Sequence, residues 1–193
     1  SENDVLDRFY QTVKNVKPDF VVRLTSDCPL IDPKLIDEII LEAKALDLDY
    51  YSNGIEERYP DGQDVEVFKF SALEKAWQEA TLTSDREHVT PYIRNNSSYK
   101  GGDLFKSGNH GLEDSYNHVR LTVDEPEDLE VIKHIIEDLG LDKDWKTYAD
   151  YYLNNNEIKA LNNTIVRNEG YQKSVDQDEI IAAVEDLDLD DLA

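Results

Sequence analysis

An α/β layered fold with a mainly parallel sheet is what this 193-residue chain predicts. Short β-branched apolar runs alternate with longer stretches of helical spacing, the pattern of sheet and helix layers. Two of the runs end alike, on an aspartate that precedes a proline-led helix. Caps and breakers stand where such an alternation needs them.

The elements follow in order. Residues 4–16 carry Val5, Leu6, Phe9 and Val13 on one helical face. Phe20 to Thr25 is a short apolar strand between Pro18 and Pro29. Asp32 is an N-cap with Pro33 at the first helical position, and Leu35, Ile36, Ile39, Ile40, Ala43 and Leu46 recur behind it. Tyr50 to Asn53 reads as a strand; Tyr59-Pro60-Asp61-Gly62 is turn chemistry. Val65, Val67 and Phe68 mark another strand, and residues 71–80 and 85–94 read as helices. A strand over 104–106 and a clearer one over 118–123 follow, the latter ending at Asp124. Pro126 opens a helix that Gly140 closes, and 145–161 reads as one further helix. We expect residues 1–175 to form the domain. From 176 to 193 we expect an acidic segment, a short helix with Ile180, Ile181 and Val184 inward and then a frayed tail. No internal repeat stands out at this level.

Composition narrows the partners. A hydrophobic share of 39% places the chain among globular proteins. The formal charge of −23, from 43 acids and 20 bases, argues against nucleic acid or an anionic membrane as partner. It leaves room for a small anionic ligand, which needs only local positive charge or a metal. The lone Cys28 allows no intrachain disulfide. No apolar stretch approaches the roughly 18 residues of a membrane span. The acidic start lacks a signal-peptide pattern, so a cytoplasmic location is expected, and the lack of any methionine suggests a start inside a longer gene product.

Asp27 and Asp124 are the leading site candidates. Ligands of open parallel sheets bind beyond the carboxyl ends of the strands. Two carboxylates meeting there would repel unless a cation joined them. Magnesium takes one or two carboxylates plus water and phosphate oxygens, so the pair suits a Mg²⁺–nucleotide site. Each aspartate also has the plain reading of a helix cap.

Six stretches in order sharpen this: "DVLDRFYQ" (4–11), "VVRLTSDCPLIDP" (21–33), "YPDGQDVEVF" (59–68), "SDREHVTPYI" (84–93), "VRLTVDEPEDLEVI" (119–132) and "NEGY" (168–171). Together they resemble the cytidylyltransferase family that activates sugars and sugar acids as CMP derivatives, in its spore coat polysaccharide branch. The resemblance implies a three-layer α/β/α sandwich of the nucleotide-diphosphosugar-transferase type. It implies CTP as co-substrate, a sugar or sugar-acid acceptor, Mg²⁺ as cofactor, and Asp27 and Asp124 as metal-binding acids. It also implies a first strand and a phosphate loop rich in Gly, Arg, Ser and Lys ahead of these stretches. The expectation is therefore a sheet without its first strands, completed by an upstream fragment or by homo-oligomer pairing.

Other residues carry two readings each. Asp61, Gln63 and Asp64 fall in a region that the family turns toward the acceptor, where they could bind hydroxyls; Asp61-Gly62 is also ordinary turn sequence. Arg86 falls near a helix N-terminus, where an acceptor carboxylate or phosphate could dock, with His88 beside it; a surface ion pair and a core hydrogen bond are the plain readings. Arg23 is a charge in an apolar strand and braces carboxylates or marks an exposed face. Cys28 has no evident histidine partner, and nucleotidyl transfer needs no protein nucleophile. Two rival functions remain at this stage: a metal-dependent glycosyltransferase of similar fold, and a non-catalytic binding module.

Overall fold

The computed structural model describes residues 4–190, with side-chain surroundings through residue 184. Helix α1 (Val5–Val13) is capped by Asp4, whose side chain accepts from Asp7 N. Strand β1 (Phe20–Arg23) and helix α2 (Pro33–Ala45) follow, the latter capped by Asp32 with Pro33 at its first turn. Strands β2 (Tyr50–Ser52) and β3 (Glu66–Lys69) lead into α3 (Phe70–Glu79). Helices α4 (Thr83–His88) and α5 (Pro91–Asn95), a 3₁₀ turn (Ser98–Lys100) and strand β4 (Ser107–Asn109) come next. Helices α6 (Pro126–Leu139), α7 (Trp145–Asn154), α8 (Asn156–Asn162) and α9 (Glu169–Asp190) complete the order.

Strand alternation builds the layers. Val21, Tyr50 and Phe68 face one way and pack with Leu6, Leu73, Ala76 and Ile93 of α1, α3 and α5. Phe20, Val22, Tyr51 and Val67 face the other way and pack with Leu35, Ile39 and Ala43 of α2. Helices lie on both faces of a central sheet, as the resemblance implies. A third cluster joins Val119 and Leu121 to the inner faces of α6, α7 and α8.

The sheet is partly rather than mainly parallel. Its order is β1-β3-β2-β4; β3 runs antiparallel to both β1 and β2, and the β2–β4 pair is parallel. The polar 53–65 segment brings β3 back between β1 and β2, which reverses its direction. The reversal matters for the site, because Glu66 at the start of β3 pairs in register with Arg23 and Ser52 at the ends of β1 and β2.

Five expected elements change. The strand expected over 104–106 lies at Ser107–Asn109 instead, and Phe105 makes only an isolated bridge to Ser97. Residues 118–123 form no regular strand. They run beside a turn instead, with Asp61 N bonded to Val119 O and Leu121 N bonded to Asp61 O, and a turn offers only one residue of ladder. The helix expected over 85–94 breaks at Val89, which takes a φ of 75°; Pro91 has no N–H to continue the helical bonding and its ring would crowd the preceding turn, and it stands instead at the first position of α5. The helix expected over 145–161 breaks at Asn155, whose side chain caps α8 through Ile158 N. The acidic terminus is a long helix packed on α4 rather than a short one. Its Ile180, Ile181 and Val184 are 65%, 43% and 52% exposed, not inward. Residues 191–193 of the expected tail lie outside the described residues.

Candidate active site

A cleft of about 920 Å³ opens at the ends of β1 and β2 and the start of β3. Arg23, Asp27, Asp61, Asp64, His88 and Asp124 all line it. Asp27 and Asp124, 97 residues apart in sequence, reach it from neighbouring backbone: Val123 N donates to Asp27 O at 2.9 Å. The Thr122 hydroxyl donates to the same oxygen at 3.3 Å. One Asp27 carboxylate oxygen accepts from the Cys28 thiol at 3.2 Å. The Asp124 side chain is 51% exposed and spends one oxygen on Arg120 Nη2 at 2.8 Å. Each carboxylate therefore keeps acceptor capacity facing the cleft. Among the described residues no three His, Cys, Asp or Glu side chains gather as a closed metal cage. A hard cation that shares its shell with water and phosphate does not require one.

Guanidinium groups organise the acids. Arg23 Nη1 donates to Glu66 Oε2 at 2.6 Å, and Tyr50 OH donates to Glu66 Oε1 at 2.6 Å. Thr90 donates to the same Oε1. Arg120 is the larger hub. It donates to Asp61 at 2.8 Å, to Asp124 at 2.8 Å, and through two nitrogens to the buried Asp128, each at 2.8 Å. Asp128 also accepts from the backbone of Asp124 and Glu125 and from Asn162. A carboxylate with that many donors stays ionised: burial pushes its pKa up, but the hydrogen bonds from Arg120, Asn162 and the Glu125 and Asp124 amides together hold it below the usual carboxylate range. Arg167 grips both oxygens of Asp64 at 2.7 and 2.8 Å. Asp61, between Arg120 and Arg167, is pushed up to about 6 by burial, with Arg167 pulling the other way.

His88 sits at the cleft with Nε2 3.1 Å from Ser174 Oγ, and burial holds it below the ordinary histidine range. It is therefore neutral at neutral pH. Burial pushes the Cys28 thiol up to about 12, so it is no nucleophile at neutral pH.

Two candidates stand elsewhere. Arg86 is not on the cleft wall. Its Nε and Nη2 hold Asp4 at 2.7 to 3.1 Å and its Nη1 donates to Trp77 O, so it fastens α1 and α3 to α4. Gln63 is 0% exposed, and both ends of its amide are spent: Nε2 donates to Leu30 O and Oε1 accepts from Asp32 N. It ties the turn to the start of α2 and has nothing left for a hydroxyl.

A sequence profile described as Cytidylyltransferase matches residues 1–158. The chain belongs to the cytidylyltransferase family. An uncharacterized protein of Methanocaldococcus jannaschii is 38% identical over 181 residues, covering 90% of this chain and 69% of that one. The spore coat polysaccharide biosynthesis protein SpsF of Bacillus subtilis is 33% identical over 147 residues, covering 72% of this chain and 56% of that one. A solved cytidylyltransferase from Leptospira borgpetersenii superposes with a TM-score of 0.73 at 31% identity, over 81% of this chain and 65% of that one. The chain thus spans between about half and two thirds of the length of these proteins.

Sequence reasoning missed Arg94, Arg120, Arg167 and Tyr171, all on the cleft wall. For Arg120 a signal existed. V-R-L-T-x-D-x-P occurs at 22–29 and again at 119–126, so an internal repeat is present after all, and Arg120 is the counterpart of Arg23. Arg167 and Tyr171 lie beyond the matched 1–158, and no local pattern marked Arg167.

Proposed function

We propose that the protein transfers a cytidylyl group from CTP to a hydroxyl of a sugar or sugar acid, releasing pyrophosphate, in the building of a surface polysaccharide. One observation carries the reading: in a chain of this family, Asp27 and Asp124 line one cleft from bonded backbone segments with carboxylate oxygens to spare. The acceptor oxygen attacks the α-phosphorus in line and the pyrophosphate leaves opposite to it. Such chemistry depends on positioning and charge neutralisation rather than a protein nucleophile. Asp27 and Asp124 would hold Mg²⁺, which when bound offsets phosphate charge. Arg120 fixes Asp124 and Asp61, so the acids enter the reaction already oriented. Six bases (Arg23, Arg94, Lys100, Arg120, Arg167 and Lys173) line this cleft against eight Asp and Glu side chains, so an anionic substrate needs the cation that Asp27 and Asp124 would hold. The polysaccharide assignment follows the name of the Bacillus subtilis relative.

The test is pyrophosphate release from CTP, compared with ATP, GTP and UTP, across a panel of sugars and sugar acids. Asp27→Asn should lower turnover by on the order of 10²-fold with its circular dichroism unchanged. Full turnover by Asp27→Asn would remove the metal role. Nucleoside diphosphate release from a sugar nucleotide, with none from CTP, would replace this reading with glycosyl transfer.

A further inference from the structure

One wall of the cleft is held differently from the rest. Residues 165–171 and Lys173, which follow α8 and open α9, line it from one side. Among the described residues, none after Ile158 belongs to the three hydrophobic clusters. Polar contacts fasten this wall instead, and segments with few buried apolar contacts open at lower cost than the core. Its near end is Arg167, which grips Asp64 at 2.7 and 2.8 Å and donates to Tyr59 O at 3.1 Å. Asn168 follows with a φ of 60°, a left-handed conformation at the point where α9 begins. The far end is Asp178, which accepts from Thr83 N at 3.0 Å and Ser84 N at 2.9 Å. Helix α4 has no capping side chain of its own, since Leu82 stands at its N-cap position, and α9 supplies the cap. Between the two ends, Ser174 meets His88 at 3.1 Å and donates to Glu87 at 2.8 Å, and the Tyr171 ring lies 5.2 Å from the Arg94 guanidinium.

A second carboxylate works against this latch. Asp85 is buried next to Ser84, in the first turn of α4. From α9 it faces Asp178, and from α5 it faces Arg94 and Tyr92, while α1 commits Asp4 to Arg86. Burial raises Asp178, but its bonds from Ser84 and Thr83 together hold it below the usual carboxylate range, so it stays ionised at neutral pH. Asp85 is pushed up to about 6, by burial first and then by Asp178, with Arg94 opposing. Below about pH 6 a neutral Asp85 leaves Asp178 undisturbed. Above it two carboxylates share one helix end, and moving α9 away relieves the repulsion and lets water reach Asp85.

We propose that α9, hinged at Asn168 and latched to α4 by Asp178, is a movable wall of the cleft, and that the charge on Asp85 sets how firmly it is shut. Opening carries Tyr171 and Lys173 away from the cleft while Arg167 stays on Asp64. Hinges of this kind are a few element-terminal residues that absorb a backbone change. The inference goes beyond the cytidylyl-transfer reading, because it concerns access to the cleft and holds whatever ligand the cleft takes. Its sign follows from linkage. Asp85 binds its proton more tightly in the latched state than in the open one, so the open fraction grows as pH rises and levels off above about 6.

The experiment is amide hydrogen exchange of the ¹⁵N-labelled protein at pH 5 and pH 7, with the intrinsic exchange rates divided out. Thr83 N and Ser84 N are the first amides of α4 and have no helical partner, so their protection reads the Asp178 bonds. It should lie well below that of Val67 in the central strand β3, and should fall about three- to tenfold from pH 5 to pH 7. Asp85→Asn should remove that fall. Asp178→Ala should abolish protection at both amides and weaken the ring-current shift of Tyr171 on the Arg94 side chain, which ties the latch to the cleft wall. Protection of Thr83 and Ser84 equal to that of Val67 would show that α9 leaves only when the whole protein unfolds. A fall that survives Asp85→Asn would belong to His88, whose ring also meets Ser174. An Arg94 side chain unmoved in Asp178→Ala would separate the latch from the cleft. Any of these results, or no fall with pH in the wild type, overturns the proposal.

Discussion

Replacing the buried Asp85 with asparagine should stabilise the protein at neutral pH. Asp85 is 5% exposed and lies in the first turn of α4, whose N-terminal amides Thr83 N and Ser84 N are already held by Asp178. Burial first, then the Asp178 charge, push Asp85 from its ordinary 3.8 up to about 6, with Arg94 opposing. The folded state thus binds this proton more tightly than the unfolded chain. Below about pH 4 both states are protonated and the residue costs nothing. Between about 4 and 6 the unfolded chain ionises first and stability falls; above about 6 the whole penalty applies. A gap of roughly two pH units at 1.36 kcal/mol each gives about 3 kcal/mol. Asparagine does not titrate, but it forgoes the interaction of a charge with the helix N-terminus, about 0.3–1 kcal/mol. The net expectation is a gain of about 2 kcal/mol at pH 7.5 and none at pH 4. Urea unfolding of wild type and Asp85→Asn at both pH values measures it. A variant that is less stable at both would show that the carboxylate is a needed hydrogen-bond acceptor, and the desolvation argument would fail.

Two further outcomes are expected. Arg86→Ala and Asp4→Ala should each cost about 1–2 kcal/mol, and a double-mutant cycle should show them coupled; acceptor and CTP KM values should stay at wild type, and a raised acceptor KM would return Arg86 to the site. Gly62→Ala should cost more than about 2 kcal/mol and lower turnover, because Gly62 has a φ of 97° and an added Cβ would lie 2.7 Å from the backbone of Leu121. Wild-type melting and activity in Gly62→Ala would mean that the 59–62 turn does not brace the Asp61–Arg120 contact.

What the sequence revealed and what it concealed divides by the range of the interactions involved. Asp32-Pro33 and Pro126 through Gly140 were readable because caps and helical stripes are settled within a few residues. The direction of β3 was not, because it depends on where the chain from 53 to 65 returns. Arg86 looked like a ligand group only while 85–94 was one helix. Val89 adopts a conformation that its own side chain disfavours, and a buried β-branched residue there gives no warning in sequence. Gln63 read as a polar turn residue because nothing local shows that Leu30 O and Asp32 N need it.

The repeated V-R-L-T-x-D-x-P makes the division explicit. At 22–23 its first residues lie in a strand, paired along β3; at 119–120 the same residues form only an isolated bridge to the Asp61 turn. Arg23 faces one carboxylate, Glu66, while Arg120 faces three, because β3 and the Asp61–Asp128 surroundings differ. The motif itself fixes only the corner, an aspartate followed two residues later by a proline that leads toward a helix. Both corners come to one cleft because Val123 N closes on Asp27 O, a bond between the two copies of the motif. The pair of aspartates is therefore a local property used twice, and their meeting is a tertiary one. That is why the two aspartates could be picked out in the sequence, while Arg120, which holds Asp124, was only half legible.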